Sequence, residues 1–212
     1  MRTKALLCLA ALAAGAATTA VAQNNVYSLN IVGYVNITQN PGFKIYGNPL
    51  NTTNNDVKFL FPNAASFPGL AVYKFNGASY DLSSYDPDVG GWTAAMALNP
   101  GDGFWLQVPA GGAYNNTFVG EVVKDSTNSV PKGFSLKASA YPASLALVTG
   151  LTAPLVTGDA VYMFNGTSYD LYANDPDVGG WTPSEPLPAV AQGFCIQNNS
   201  GTDKSWIQHF TP

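Results

Sequence analysis

Short apolar runs separated by clusters of Gly, Pro, Asn and Asp make up most of the chain. Beyond residue 22, no segment keeps an apolar period of about 3.6 residues for long, as an amphipathic helix would. Short runs bounded by turn-forming residues are typical of β-strands. The pattern therefore predicts an all-β protein, in which residues 54–61 and 142–152 are the two candidate short helices.

One long stretch of sequence occurs twice. Val72–Thr93 and Val161–Thr182 are identical at 17 of 22 positions with a constant offset of 89 residues. Farther along, Gly103–Gln107 is matched by Gly193–Gln197. Such agreement records a duplication, and two long copies argue against a solenoid of short repeats. We expect two tandem homologous β-sandwich- or barrel-like repeats of about 88 residues, either as separate domains or as a pseudo-twofold pair.

A weaker similarity links three short segments, residues 31–35, 118–122 and 206–210. One interpretation is a strand type that occurs three times, so that the middle copy closes the first repeat and opens the second. The other is that the C-terminal segment, 206–210, resembles the first two by coincidence, because short β-rich runs are ambiguous. The predicted divisions of the chain are a signal peptide at 1–22, a first β repeat at 23–115 and a second β repeat at 116–212.

Asn76-Gly77, repeated as Asn165-Gly166, predicts a tight hairpin in each repeat. Asn-Gly is the preferred pair for a two-residue type I′ turn, in which both residues have a positive φ. Such a turn pairs Phe75 with Ala78 and Tyr73 with Tyr80. Because side chains alternate along a strand, one face then carries the large apolar residues, and we expect it to point into the core. Its members are Tyr73, Phe75, Ala78, Tyr80 and Leu82, and in the second repeat Tyr162, Phe164, Tyr169 and Leu171.

Residues 104–108 also alternate between two faces. The larger apolar positions are predicted to point inward, which leaves Trp105 on the outer face, and Cys195 takes its position in the second repeat. An outward Trp in a soluble protein needs an explanation. Either this face packs against the other repeat or it is a binding surface. The inward set is Phe104, Leu106 and Val108, with Phe194 and Ile196 in the second repeat.

Residues 1–22 have the features of a secretory signal peptide. Arg2 and Lys4 precede an Ala- and Leu-rich run, and Ala20-Val21-Ala22 fits a cleavage site. The run is shorter than the roughly 20 apolar residues of a membrane span, and no later segment is long enough. We predict a secreted, extracellular or cell-surface protein, with the periplasm as the alternative location. Cleavage would leave 7 Lys and Arg against 13 Asp and Glu, and Cys195 as the remaining thiol.

Charged residues make up only 10% of the chain, and the formal net charge is −4. Few basic residues argue against a nucleic-acid binder, because that binding depends on neutralising phosphates. Catalytic groups are also scarce, since His209 is the single histidine. Spacing identifies no base–nucleophile pair, so we expect no enzymatic activity. Alignment of the similar strands places His209 on an outward face, at the position of Tyr34 and Glu121.

The segment Asp86–Trp92, copied at Asp175–Trp181, is the best candidate for a site. Two carboxylates before paired glycines resemble part of a calcium loop, although the further ligands of such a loop are missing. The alternative is a structural turn, in which Asp accepts backbone N–H groups and Gly adopts a positive φ. We expect no cofactor, with calcium at the four aspartates as the alternative. The candidate ligand-binding residues are Trp92, Trp181, Trp105, Asp86, Asp88, Asp175 and Asp177.

Several motifs together resemble a group of secreted bacterial two-repeat β proteins with no assigned activity. The group has a VGYVN opening, followed in each half by GFxLxxNPL, VYxFNG, GGW and GxGFxV. The corresponding segments here are Val32–Asn36, Gly42–Leu50, Val72–Gly77, Gly90–Trp92 and Gly103–Leu106. The second half departs from the pattern at Lys137–Ser139, which lacks NPL, and at Cys195, where an aromatic residue is usual. The resemblance implies export and a two-repeat architecture, and it implies no site residue.

Two functions fit these features. The first is a secreted non-catalytic β-protein with a structural or adhesive role at the cell surface or in extracellular matrix, whose partners are other copies of itself. The second is a glycan-binding module with one site per repeat, in which two sites give avidity on a polymer at the cell surface. Exposed and coplanar rings at Trp92, Trp105 and Trp181 would favour glycan binding, and buried rings would favour the structural role.

Overall fold

The computed structural model describes residues 31–211, which are almost entirely β, so the all-β prediction is confirmed. The signal peptide predicted at 1–22 lies outside these residues. No helix in the described range is long and apolar enough to cross a membrane.

The first repeat contains β1 (Val32–Gln39), β2 (Gly42–Gly47), α1 (Val57–Leu60), a 3₁₀ turn (Ala64–Ser66), β3 (Ala71–Phe75), β4 (Tyr80–Asp86), β5 (Gly91–Trp92), β6 (Gly103–Val108) and β7 (Tyr114–Glu121). The second contains β8 (Asp125–Val130), β9 (Gly133–Lys137), β10 (Ala160–Phe164), β11 (Tyr169–Asp175), β12 (Gly180–Thr182), β13 (Phe194–Asn198) and β14 (Lys204–His209).

Within residues 31–211, each repeat has seven antiparallel strands in the same arrangement. In the first, β2-β6-β3-β4-β5 form a sheet and β1-β7 form a two-stranded ribbon. In the second, β9-β13-β10-β11-β12 form the sheet and β8-β14 the ribbon. The registers also match, since Tyr73 lies opposite Trp105 and Tyr162 lies opposite Cys195. Two homologous sandwich-like repeats are therefore confirmed, and across residues 31–211 the sheets are open and not closed into barrels.

The core of each repeat lies between its five-stranded sheet and its ribbon. Phe104 and Phe194, on the sheets, are fully buried, as their alternation predicts. In the second repeat, Phe194 contacts the buried Trp206 of the ribbon, with 6.2 Å between ring centroids. In the first, the ring of Phe61 lies 6.0 Å from Phe104 and 5.9 Å from Phe118 of the ribbon. Each of these buried rings removes a large apolar area from water and so contributes to the hydrophobic stabilisation of its repeat.

The two candidate helices have different outcomes. Within 54–61 a single helical turn forms, α1, and the Asp56 carboxylate caps it by accepting backbone N–H groups of its first turn and of a neighbouring loop. Residues 142–152 form hydrogen-bonded turns and no α-helix. There the Glu185 carboxylate, from a distant segment, accepts two backbone N–H groups, so the segment does not need helical hydrogen bonds to satisfy them.

The junction between the repeats lies at residues 122–124. β7 pairs with β1 along its whole length, so the boundary predicted after residue 115 falls inside this ribbon, and strand pairing moves it to 122–124. The segment 118–122 closes the first repeat, as 206–210 closes the second, whereas β8 opens the second repeat. The similar segment 31–35 is the antiparallel pairing partner of 118–122. The interpretation in which one strand serves both repeats is therefore wrong.

The hairpin register predicted from the Asn-Gly pairs is wrong by two residues. Phe75 pairs with Tyr80 instead of Ala78, and Tyr73 pairs with Leu82 instead of Tyr80. The loop therefore has four residues, 76–79. A shift of two residues keeps every side chain on its predicted face, because side chains alternate with a period of two. The shift changes only which residues lie opposite each other.

The side chain of Asn76 explains the longer loop. A type I′ turn needs a positive φ at both central residues, but only Gly77 of this pair has one, at 101°. Instead, the Asn76 side-chain carbonyl accepts the backbone N–H groups of residues 78 and 79, at 3.1 and 2.9 Å. Asn165 makes the same two hydrogen bonds in the second repeat. The Asn-Gly pair therefore marks the turn correctly and predicts the wrong turn type.

The aromatic face of this hairpin does not point into the core of its own repeat, contrary to the prediction. Tyr80 and Leu82 are 47% and 48% exposed, whereas Val72 and Ser83, on the opposite face, are fully buried. The pairing of Tyr73 with Trp105 puts the whole aromatic row on the outer face of the sheet. Because this outer face meets the other repeat, large apolar residues occupy both faces, and aromatic character alone does not identify the inner one.

Backbone hydrogen bonds join the two repeats in a reciprocal way. The Gly47 N–H donates to the Ala191 carbonyl at 3.0 Å, and the equivalent Ala138 N–H donates to the Gly101 carbonyl at 3.2 Å. Two isolated β-bridges repeat this relation, Tyr46 with Gln192 and Lys137 with Asp102. Reciprocal contacts between equivalent positions indicate a pseudo-twofold pair.

The side chains at the two equivalent contacts differ. At one, the Lys74 ammonium forms a 2.8 Å ion pair with Asp102, and burial lowers the pKa of the neighbouring Lys137. At the other, Tyr46 and Gln192 take the positions of Lys137 and Asp102. Burial raises the pKa of Tyr46 to about 12, so its hydroxyl is neutral over the physiological range. The junction is symmetric in its backbone and not in its side chains.

Glycine is required where the backbones of the two repeats approach each other. A Cβ at Gly193 would lie 2.5 Å from a methyl carbon of Ile45 and 2.6 Å from the carbonyl oxygen of Tyr46. A Cβ at Gly103 would lie 2.6 Å from the backbone nitrogen of Lys137. In a close-packed interior such overlap is relieved only by moving the backbones apart.

We expect Gly193→Ala to destabilise the protein by roughly 1–3 kcal/mol, the usual cost of overpacking a buried position. Gly180→Ala is the matched control, because a Cβ there meets open space and its φ is not positive. We expect the control to change the free energy of unfolding by less than about 0.5 kcal/mol. Urea unfolding followed by tryptophan fluorescence measures both variants. Equal unfolding midpoints would show that the close approach contributes nothing to stability.

Candidate functional site

The outer faces of the two five-stranded sheets carry matching aromatic rows, which we name the aromatic faces. Residues opposite each other in an antiparallel pair point to the same side, so the strand registers define both rows. The first aromatic face consists of Phe43, Tyr73, Phe75, Tyr80 and Trp105. The second consists of Phe134, Tyr162, Phe164 and Tyr169, with Cys195 at the position of Trp105.

Trp105 packs against the second repeat, which confirms one of the two alternatives for this outward tryptophan. Its ring centroid lies 4.9 Å from that of Phe164 and 6.3 Å from that of Tyr169, both edge-on. Phe43, from the same sheet, makes a third edge contact at 6.2 Å and 84°. Edge-to-face contacts are the favourable arrangement for aromatic pairs. Trp105 is therefore part of the contact between repeats and not a free flat platform.

Hydrogen bonds fix the tyrosines at the centre of each aromatic face. The Tyr73 hydroxyl donates to the Gln107 side-chain carbonyl at 2.7 Å, and Tyr162 donates to Gln197 at 2.8 Å. Holding a ring in one orientation in this way lowers the entropic cost of using it in a contact. Neither hydrogen-bonded pair was predicted from the sequence, although Gln107 and Gln197 occupy matching positions in the two repeats.

A groove of about 490 Å³ lies beside Cys195, between the aromatic faces. Burial raises the pKa of the Cys195 thiol to about 11, so the thiol is neutral at physiological pH. A smaller groove of about 340 Å³ lies at Trp105. The residues that line the larger groove are Phe75, Tyr80, Phe134, Ser135, Leu136, Tyr162, Tyr169 and Cys195.

The other two candidate tryptophans lie on the opposite face of their sheets. Trp92 is half-buried, 6.1 Å from Phe61 of the core and perpendicular to Tyr85, its partner across the strands. Trp181 is also half-buried against the core and lies opposite Asn174. Neither joins the aromatic faces. The structure therefore does not bring the three candidate tryptophans into one coplanar set.

The candidate aspartates form the turns between β4 and β5 and between β11 and β12. The Asp86 carboxylate accepts the backbone N–H of Asp88 at 2.8 Å, and Asp175 accepts that of Asp177 at the same distance. In a structural turn, the alternative to a calcium loop, the Asp side chain accepts a backbone N–H group in this way. Across residues 31–211, no three His, Cys, Asp or Glu side chains are grouped as they would be around a metal ion.

His209 lies on the exposed outer face of its ribbon, as the strand alignment predicts. Its Nδ1 is 2.6 Å from the Asp125 carboxylate, directly opposite in the ribbon. It is equivalent to Glu121, since both end the closing strand of a repeat. Cys195 belongs to the five-stranded sheet and lines the groove between repeats. The histidine and the thiol are therefore on different sheets.

Comparisons with protein-family models, with curated proteins and with solved structures gave no match. The resemblance to secreted bacterial two-repeat proteins therefore stays an interpretation of the motifs.

We expect Cys195 to react slowly with iodoacetamide at pH 8, because a pKa of about 11 instead of 9.0 lowers the thiolate fraction roughly a hundredfold. In the native protein its labelling rate should keep rising up to about pH 11. The urea-unfolded chain is the control, and its rate should level off near pH 9. Peptide mass spectrometry separates Cys195 from Cys8. A native rate that levels off near pH 9 would contradict the burial of the thiol.

Proposed function

We propose that this chain is an exported, non-catalytic protein with a structural or adhesive role, and that it acts by associating with other copies of itself. Export is inferred from the pattern of residues 1–22. The observation that carries the proposal is an apolar patch on the outer face of ribbon β1–β7. Val32, Tyr34 and Val119 are 67%, 74% and 55% exposed, and Tyr34 lies opposite Val119. Clustered exposed apolar side chains mark interaction surfaces.

The fold itself does not require this patch. At the equivalent positions of ribbon β8–β14, Asp125 and Thr127 replace Val32 and Tyr34. Ile207 alone retains an apolar side chain there, in the place of Val119. Two ribbons with the same backbone pairing therefore carry different outer faces. The apolar face of the first ribbon is a property of its surface and not of its folding.

The edge of β1 is suited to pairing with a second copy. In the described chain, β1 pairs with β7 on one side only. Its eight residues include neither Pro nor Lys, the residues that commonly block pairing at a sheet edge. A second copy presents the same edge and the same patch, so antiparallel β1–β1 pairing would continue the ribbon across a twofold axis. A formal net charge of only −4 on a chain of 212 residues keeps electrostatic repulsion between copies small.

We expect the full chain to self-associate as its concentration rises, and the double variant Tyr34→Ser/Val119→Thr to weaken this association at least tenfold. The reason is the loss of two apolar side chains from the centre of the contact. Sedimentation velocity across a range of protein concentrations measures the effect.

Ile207→Thr is the matched control, because it makes the same kind of change at the equivalent position of the second ribbon. We expect it to leave self-association unchanged. A wild-type chain that stays monomeric at high concentration would refute the proposal. Equal weakening of self-association by the control variant would show that the contact between copies does not lie specifically on ribbon β1–β7.

A glycan-binding role is the second candidate, and a groove at Trp92 favours it. The groove measures about 460 Å³ and combines the rings of Trp92 and Tyr85 with the polar residues Asp56 and Lys58. Carbohydrate recognition uses such a mixture of aromatic surface and polar groups. The Trp92 and Tyr85 rings are perpendicular, and both carboxylate oxygens of Asp56 accept backbone N–H groups. A sugar would therefore stack on one ring only.

If this second function is correct, the protein should be retained on at least one insoluble polysaccharide, and Trp92→Ala should reduce its affinity about tenfold by removing the stacking ring. Trp181→Ala is the comparison variant, since Asn174 replaces the tyrosine beside it. Pull-down over a panel of polysaccharides measures the retention. Absence of retention of the wild-type chain on the whole panel would exclude this candidate.

A further inference from the structure

The groove beside Cys195 is the counterpart of the socket that holds Trp105. In the first repeat, the indole of Trp105 is enclosed by two rings of its own sheet and two rings of the other repeat. In the second repeat, the four equivalent rings line the groove at Cys195. The rings around Trp105 are Phe43, Tyr73, Phe164 and Tyr169, and their equivalents at Cys195 are Phe134, Tyr162, Phe75 and Tyr80.

The two sets of rings have nearly the same internal geometry. The Phe43–Tyr73 pair is at 6.0 Å and 45°, and its equivalent Phe134–Tyr162 is at 5.9 Å and 47°. The Phe164–Tyr169 pair is at 5.4 Å and 64°, and its equivalent Phe75–Tyr80 is at 5.2 Å and 52°. Each pair of wall rings has therefore kept its internal geometry, although the residue at the centre differs.

The centre of the second socket contains a small side chain in place of an indole. The groove at Cys195 accordingly has a volume of about 490 Å³, against about 340 Å³ for the groove at Trp105. The walls do not collapse onto Cys195, because backbone bonds between the repeats and the Tyr162–Gln197 hydrogen bond hold them in place. A preformed apolar cavity of this size is the usual form of a small-molecule site.

We propose that the groove beside Cys195 binds a small, flat, uncharged aromatic molecule about the size of indole, seated where Trp105 lies in the first repeat. The contacts of Trp105 show the fit, since edge-on rings of the opposite repeat meet its indole at 4.9 and 6.3 Å. The neutral thiol and the surrounding rings place no charge in the groove. Phe134 and Tyr169, 50% and 47% exposed, leave its mouth open to solvent.

The test is isothermal titration of the full chain with indole, compared with two variants of Cys195. We expect the wild type to bind indole with a dissociation constant of about 0.1–1 mM, reasonable for so small a ligand in a preformed site. Cys195→Trp should weaken binding at least tenfold, because the new side chain fills the socket. It should also raise the melting temperature by a few degrees. Cys195→Ser keeps the space and should bind within about threefold of the wild type.

A second pair of variants keeps the test decisive if Cys195→Trp does not fold. Phe134→Ala removes a half-exposed wall of the groove and should weaken indole binding at least tenfold. Phe43→Ala removes the equivalent wall at Trp105 and should leave indole binding unchanged. No saturable indole binding, or equal loss in both variants, would overturn the proposal. The Tyr34→Ser/Val119→Thr variant should bind indole normally, so this result is independent of self-association.

Discussion

The close approach of the two backbones at the junction is the constraint on which the rest of the structure depends. Gly47, Gly103 and Gly193 lie where a side chain would collide with the other repeat. Their small size allows reciprocal backbone hydrogen bonds to form across the junction. Those bonds hold the outer sheet faces close enough for Trp105 to contact Phe164. Without that approach the aromatic faces would be separate, solvent-exposed surfaces, and no groove would lie between them.

Duplication produced two copies of one framework, and later substitutions gave the copies different surfaces. The backbone pairing, the Tyr–Gln hydrogen bonds and the wall rings are the same in both repeats. The repeats differ at Trp105 against Cys195, at Lys137 against Tyr46, on the outer faces of the ribbons, and in the helix α1, which has no counterpart in the described residues of the second repeat. Because the two repeats share one framework, the equivalent position in one repeat is a reference for the structural effect of a substitution in the other.

Local rules predicted those parts of the fold that depend on neighbouring residues. The β class, the two homologous repeats and the inward positions of Phe104 and Phe194 follow from alternation and internal similarity. The hairpin register did not follow, because the Asn76 side chain satisfies the loop backbone and lengthens the turn. Local rules also failed to predict which face of the hairpin points into the core, because both faces of the sheet carry large apolar residues. The groove at Cys195 was missed because its walls come from both repeats.

The amino-acid sequence by itself determined the strands, the repeat and the alternation that puts Trp105 and Cys195 at equivalent positions, because these depend on residues close together or on simple identity. Only the tertiary structure decided what each outer face meets. Packing between repeats fills one socket with Trp105 and leaves the other with Cys195 at its centre. It also separates Trp92 and Trp181 from the aromatic faces. These outcomes depend on contacts between residues far apart in the chain, which no local pattern encodes.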